Sequence, residues 1–298
     1  MRCPAPVLFL VSLLGCHSAP STATPFDRSS EIAVQRALTD ADWRRDSGIE
    51  HSMSAAMDPV VAQLLSASCV AHDHQRRVLL ENLANANTCA YKRRVVSLGT
   101  QPVVGSDGQV FQIPIVNLTT AVCSPGVLEV TERNLDLAID GEGFFAVLLA
   151  GGSMGYTRDG RLQCNADGKL IAGSGNVLLP EITVPSDTLE IAVDPEGRVN
   201  VRTASSSDSS MLLGQITLHR FVNPAGLLAV GANVMQPNEA SGQAMSGPPG
   251  RSGLGLLKQG FLERSNVQAV QELISLQLLE RQHDAMVRVM QRCGLVVP

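Results

Sequence analysis

The chain has few aromatic rings and almost no lysine. Of its 298 residues only two are Tyr, one is Trp and seven are Phe. A core built without rings must be filled by Leu, Val, Ile and Ala. Lysine occurs three times against twenty arginines, and acidic residues bring the net charge to −5. That balance excludes a dedicated nucleic-acid binder, which would be basic. No apolar run reaches the roughly 18 residues that an ordinary membrane-spanning helix needs. Seven cysteines include no C-x-x-C pair, which excludes a zinc ribbon and a thioredoxin-type redox motif. Cys69, Cys89, Cys123, Cys164 and Cys293 are scattered singly and read as small buried hydrophobes.

Catalytic signatures are missing as well. There is no H-E-x-x-H, no G-x-S-x-G and no S-x-x-K with partners. His72 and His74 stand two apart, a spacing that does not share a helix face, so they read as a solvated turn and not as a metal pair. Asp136 with Asp140, and Asp194 with Glu196, flank turn residues, and turn chemistry accounts for them. Gly141 and Gly143 are not followed by the lysine of a phosphate loop. They suit a backbone that needs positive φ or close approach before Phe144-Phe145 enter the core. No enzyme activity, cofactor or metal is expected.

What is present divides the chain into segments. Residues 1–16 carry a short apolar run, Val7 to Leu14, ending at Leu14-Gly15-Cys16. It reads as a signal leader whose end resembles a bacterial lipobox, with Cys16 as the residue a lipid would modify. The competing reading is a true start at Met53 or Met57. Residues 17–57 read as a disordered extension. From Asp58, a helix cap followed by Pro59, apolar residues recur every three or four positions. The polar turn His72 to Arg77 weakens that stripe, so the helix needs partners. Residues 95–237 carry short β-rich segments: 110–116, 135–139, 144–149, 189–193 and 216–222. Asp-Gly turns separate several of them. Nothing alternates with long helices, so antiparallel hairpins are expected and not a parallel sheet. Ser205 to Ser210 reads as a polar loop. The Gly/Pro passage 238–258 reads as a linker or an extended wrapping segment. Ser265 or Asn266 is expected to cap a second helix running to about Cys293, with Gly294 as its stop.

Three stretches resemble one family. Asn82-Leu83-Ala84-Asn85-Ala86-Asn87-Thr88 with Tyr91-Lys92-Arg93 resembles the N-terminal signature of bacterial flagellar rod and hook proteins. Leu135 to Phe145, including Gly141, Gly143, Phe144 and Phe145, resembles that family's middle motif, as does Tyr156-Thr157-Arg158-Asp159-Gly160. Gln259-Gly260-Phe261-Leu262-Glu263, Ser265-Asn266-Val267 and the following helix with Ile274 and Arg281 resemble its C-terminal signature. The order and spacing agree over about residues 58–298. Residues 215–231 favour the distal-rod branch, with the proximal rod and the hook as neighbours. Glu81, Ala90 and His283 depart from the pattern, and the 57-residue N-terminal extension is foreign to it.

The resemblance implies an α+β fold. Helices at the two ends would form a coiled-coil-like region around a β-rich, mainly antiparallel middle domain. It implies an axial structural subunit of the flagellar basal body that polymerises with itself and meets other rod and hook subunits, and L- and P-ring proteins. It would lie in the periplasm-spanning part of the basal body. A lipid-anchored relative associated with the flagellar channel is the alternative, in which the membrane is met only through Cys16. Two terminal helices with surplus apolar surface suit a tube wall, because a contact that does not close on itself makes a filament.

Overall fold

The computed structural model describes residues 59–292. The leader with Cys16, the extension, the Asp58 cap, Cys293 and the Gly294 stop lie outside the described residues. Two helices bracket a set of antiparallel strands: α1 (Pro59–Ala84) near one end and α2 (Ala269–Arg292) at the other. The chain folds as two compact units.

The first unit holds residues 59–76, 97–118 and 277–292 of the described chain. Val61, Leu65 and Cys69 follow one another every four residues on α1. They form a buried cluster with Met286 and Met290, also four apart, on α2. Residues four apart share a helix face, which is why these five meet. Phe111 packs on the cluster from a hairpin of β1 (Arg94–Val104) and β2 (Val110–Ala121). His72 is buried here, its ring centroid 6.3 Å from that of His283. The expected solvated turn is therefore wrong at His72, which falls eleven residues after Val61 and so stays on the packed face.

The second unit holds residues 77–96 and 119–276. Its centre is β5 (Phe144–Leu148), flanked by β6 (Met154–Thr157) and β9 (Val177–Leu179) in a nine-stranded antiparallel sheet. In β5 the first four residues are all buried. A strand covered on both faces needs no polar alternation. Phe145 and Val147 enter an aliphatic core with Leu137, Ile139, Leu162, Leu178, Ile216 and Leu218. Phe144 and Ala146 point to the opposite face. There they meet Tyr156, Phe221, Leu227 and Met235, so three of the scarce rings, Phe144, Tyr156 and Phe221, gather in one place. Tyr156 and Phe221 stack edge to face at 4.8 Å. A second sheet of three strands, β10 (Thr188–Val193), β11 (Arg198–Thr203) and β12 (Ser206–Gln215), lies in the same unit. In β11 the buried residues Val199, Val201 and Thr203 alternate with more exposed ones, which fixes its register.

Several boundaries differ from the sequence reading. The Ser-rich stretch 206–210 is strand, not loop, because it closes a tight hairpin in which Thr203 pairs with Ser206. Backbone pairing is indifferent to the missing apolar alternation. The segment 216–222 yields only β13 (Leu218–Arg220), after which Phe221 leaves the sheet for the ring cluster. Of the two readings of 238–258, the wrapping one describes this passage. Met245–Gly247 forms β16 against β13, and Ser241 and Leu254 are buried. α2 begins at Ala269, three residues later than Asn266, whose side chain has other partners. Cys69 is buried as expected, but Cys89 and Cys123 are half-buried and Cys164 is exposed, and all four are free thiols.

Candidate functional site

The three family-like stretches converge in the second unit on two buried polar junctions. The first is built on Glu263, which closes β18 (Phe261–Glu263). That strand pairs with β3 (Leu128–Val130). Its side chain is fully buried. One carboxylate oxygen accepts from the Lys92 ammonium and from the Gly126 amide at 2.8 Å, and the other from Arg158 Nε at 2.6 Å. Lys92 also donates to the Ser124 carbonyl at 2.9 Å. The Arg158 guanidinium donates to the carbonyls of Gly143 at 2.7 Å, Gly141 at 3.0 Å and Ile139 at 3.1 Å. One residue from each stretch thus shares a single buried charge cluster. Two cations face one anion, and backbone carbonyl dipoles accept the remaining hydrogen bonds of Lys92 and Arg158.

Burial works against the Glu263 charge, but Arg158 and Lys92 outweigh it and hold its carboxyl below the usual range. For Lys92 burial is the larger influence, and it pushes the ammonium below its usual range despite Glu263. Each charged nitrogen and oxygen of the cluster has a hydrogen-bond partner.

The second junction joins α1 to α2. Asn82, fully buried in the last turn of α1, donates to Glu272 Oε2 at 3.0 Å and to the Arg94 carbonyl at 2.8 Å. Its oxygen accepts from the Arg94 amide at 2.8 Å and from the Tyr91 hydroxyl at 3.3 Å. All four hydrogen-bonding positions of the amide are used. Glu272, fully buried, also accepts from Arg93 Nε. The Arg93 amide donates to Asn266 Oδ1 at 2.6 Å, and Asn266 Nδ2 donates to the carbonyls of Val122 at 2.8 Å and Ser124 at 3.0 Å. Asn266 therefore stitches two crossing segments together.

The remaining residues have local tasks. Asn85 donates to the Glu81 carbonyl at 2.8 Å and accepts from Thr88 at 3.1 Å, closing the end of α1. Ser265 accepts from the Val267 amide at 3.2 Å. Thr157 donates to the Asn233 carbonyl at 2.9 Å. Gly160 passes so close to the Leu137 carbonyl that a Cβ there would sit 1.7 Å from its oxygen, so no other residue fits. Gly141 and Gly143 adopt φ of 123° and 132°. Gly260 also takes positive φ, in the turn between β17 (Leu256–Gln259) and β18. Leu83 is half-buried, and Asn87 is exposed. Ile274 is exposed on α2 together with Val270, Leu273 and Leu278, and Arg281 is exposed on the same helix. These four singled-out residues, Leu83, Asn87, Ile274 and Arg281, take no part in either junction.

Sequence reasoning missed Glu272 and underused Gln259. An acid set among the apolar residues Val270, Leu273 and Ile274 was the available signal for Glu272. Gln259 imitates a strand partner: its oxygen accepts from the Val193 amide at 3.0 Å and its nitrogen donates to the Ile191 carbonyl at 2.9 Å. It thereby covers the open edge of β10.

Comparison with known proteins agrees with this geometry. The family model described as flagellar hook protein FlgE/F/G D1 domain matches residues 138–201. The model described as flagellar basal body rod FlgEFG protein C-terminal matches residues 258–293. The chain belongs to the flagellar basal-body rod and hook family. Within it, the chain is similar to the flagellar basal-body rod protein FlgG of Borreliella burgdorferi, with 31% identity over 236 residues, 74% of this chain and 89% of that protein. It is 33% identical to FlgG of Caulobacter vibrioides over 227 residues, 70% of this chain and 85% of that protein. The rod protein FlgF of Escherichia coli is 30% identical over 218 residues, 66% of this chain and 79% of that protein.

Proposed function

We propose that the chain is a structural axial subunit of the flagellar basal body, of the distal rod, and that it polymerises into the hollow shaft linking motor to hook. The observation that carries this reading is the apolar surface left open on α2. Val270 is 71% exposed, Leu273 50%, Ile274 47% and Leu278 42%. These residues recur every three or four positions and make one stripe. An apolar stripe of this length marks a surface meant for a partner. The terminal helices then pack in a coiled-coil-like manner with those of neighbouring copies, and a contact that does not close builds a filament.

The second junction anchors the start of α2, where the stripe begins, inside the second unit through Glu272. Neighbouring rod and hook subunits are the partners at the ends of the segment, and L- and P-ring proteins are the partners around it. The location is the periplasm-spanning basal body. The second reading, a lipid-anchored envelope relative, rests on Gly15-Cys16 alone.

Electron microscopy of basal bodies from a deletion strain tests the first reading. Loss of the distal rod and everything beyond it is expected, and basal bodies with an intact rod would overturn it. Mass spectrometry of the native N-terminus separates the two readings. A lipidated Cys16 favours the anchored relative, and a first residue at Met53 or Met57 removes it.

A further inference from the structure

We propose that His72 and His283 form an acid-sensitive latch between α1 and α2, which keeps the two helices paired while the rings are neutral and releases them in mild acid. Both residues lie in the first unit. His72 stands three residues after Cys69, and His283 stands three before Met286. Each imidazole is thus on the packed face of its own helix, one turn from the apolar cluster that joins them. The ring centroids are 6.3 Å apart. Together with Arg76, Leu279, Glu280 and Asp284 the two rings line a cavity of about 350 Å³. His72 is 6% exposed, and its Nδ1 has no hydrogen-bond partner.

The unpartnered nitrogen decides which form of His72 the closed helix pair accepts. A neutral imidazole carries one N–H and can leave Nδ1 bare, whereas the imidazolium carries an N–H on both nitrogens. Protonation would therefore bury a charge together with a donor that finds no acceptor. A proton on His283 would add a second positive charge across the cavity. The charges around the ring do not cancel this. On α1 the Asp73 carboxylate and the Arg76 guanidinium are of opposite sign, and both residues are exposed. On α2, Glu280 and Asp284 are exposed, so water and salt screen them. The hairpin stretch 97–118 has one ionisable residue, Asp107, exposed at the turn between its strands. Burial and, after it, His283 lower the His72 pKa, and Asp73 offsets them only in part.

In an opened helix pair His72 meets water and titrates at the ordinary value of about 6.5, while in the closed pair it takes up a proton less readily. Pairing is therefore at full strength above that value. It weakens as pH falls through it toward the folded value, where the loss levels off. Opening parts Val61, Leu65 and Cys69 from Met286 and Met290, so the acid form bares an apolar face on each helix. The chemistry is the reversible uptake of a proton from solvent by each ring and consumes nothing else.

Hydrogen exchange of the full chain tests this, read by peptide mass spectrometry with the intrinsic pH dependence of exchange divided out. Between about pH 7.5 and about pH 5, opening of residues 59–76 and 277–292 should increase about threefold or more, with about tenfold per pH unit as the limit for one proton. His72→Gln stays neutral and should lose most of that increase, while the acid response of the second unit is unchanged. An equal increase in His72→Gln would overturn the proposal, and so would wild-type protection that stays constant over this range. Should His72→Gln lack protection already at neutral pH, His283→Gln serves. Removing the facing ring brings His72 nearer its ordinary value, so the increase should shrink, and an unchanged one overturns the latch. Histidine NMR of wild type needs no variant to be folded. The His72 ring should titrate clearly below about 6.5, and titration at or above that value overturns the proposal as well. The outcome is independent of the assembly reading.

Discussion

Glu263 holds two cations while its own side chain is fully buried, which makes it an exacting residue. Glu263→Gln would leave Lys92 and Arg158 buried without a counter-charge. Breaking a buried ion cluster by removing one partner costs about 3–5 kcal/mol. Urea denaturation should show a loss of that size, and a loss under about 1 kcal/mol would mean that the carbonyls around Arg158 suffice. The same residue gives a pH dependence. Its folded carboxyl titrates below the ordinary range. As pH falls through the ordinary glutamate value of about 4.3, the unfolded chain takes up a proton that the folded chain still refuses. Stability should therefore be complete above that range and fall as pH drops toward the folded value. In Glu263→Gln this acid-side slope should be shallower.

His219 adds a second acid-sensitive group, since burial lowers its pKa and Nδ1 has no partner. Below the ordinary histidine value of about 6.5 the unfolded chain gains a proton first, so stability falls with pH there too. Ala90 shows a departure from the family pattern in physical terms. It sits at φ 57° where glycine is usual in the resembled motif, yet it is 4% exposed and its amide donates to the Glu263 carbonyl at 2.8 Å. Relief of left-handed strain, about 1–2 kcal/mol, is set against glycine's added chain entropy and a lost buried methyl. Ala90→Gly should therefore change stability by less than about 1 kcal/mol. Ala90→Val puts a β-branched residue at positive φ and should destabilise clearly more, which thermal melts would show.

At the scale of elements, the two junctions change what a protease should find. The sequence alone suggests a stable core of about residues 95–235 with both ends trimmed. Asn82, Lys92 and Arg93 on one side, and Glu263, Asn266 and Glu272 on the other, are held inside the second unit. A resistant species should therefore retain residues 82–93 and 259–272, and mass spectrometry of the products would check this. Products lacking either segment would show that the junctions open in the isolated subunit.

The same contacts explain what could be read in advance. Antiparallel strands, the glycine turns and helices at both ends were legible because they follow from apolar spacing and turn residues. The pairing of Lys92 with Arg158 and Glu263 was not, since it joins residues 171 and 105 positions from Glu263 and no local pattern encodes such a separation. His72 was misread because its neighbours in sequence are polar, while its neighbour in space is His283. The strand at 206–210 was missed because backbone pairing in a hairpin leaves no side-chain signature.

At the scale of the whole molecule, the open apolar stripe lies on α2. Leu83 and Ile274 looked equivalent as apolar positions on the terminal helices, but the structure separates them. Leu83 is half-buried, so Leu83→Asp should damage the fold as well as assembly. Ile274 is 47% exposed in the single chain, so Ile274→Asp should leave the subunit folded, with stability within about 0.5 kcal/mol of wild type. In a polymer that buries the stripe, the same aspartate would bring an unpaired charge into an apolar contact at a cost of several kcal/mol, each 1.4 kcal/mol being tenfold in association.

The most direct measurement is electron microscopy of basal bodies from cells whose only copy carries Ile274→Asp, with the purified variant shown by circular dichroism to be folded. Truncated rods without hooks are the expected result, and non-motile cells with them. Full-length rods bearing hooks would contradict it and show that the α2 stripe is not an assembly surface.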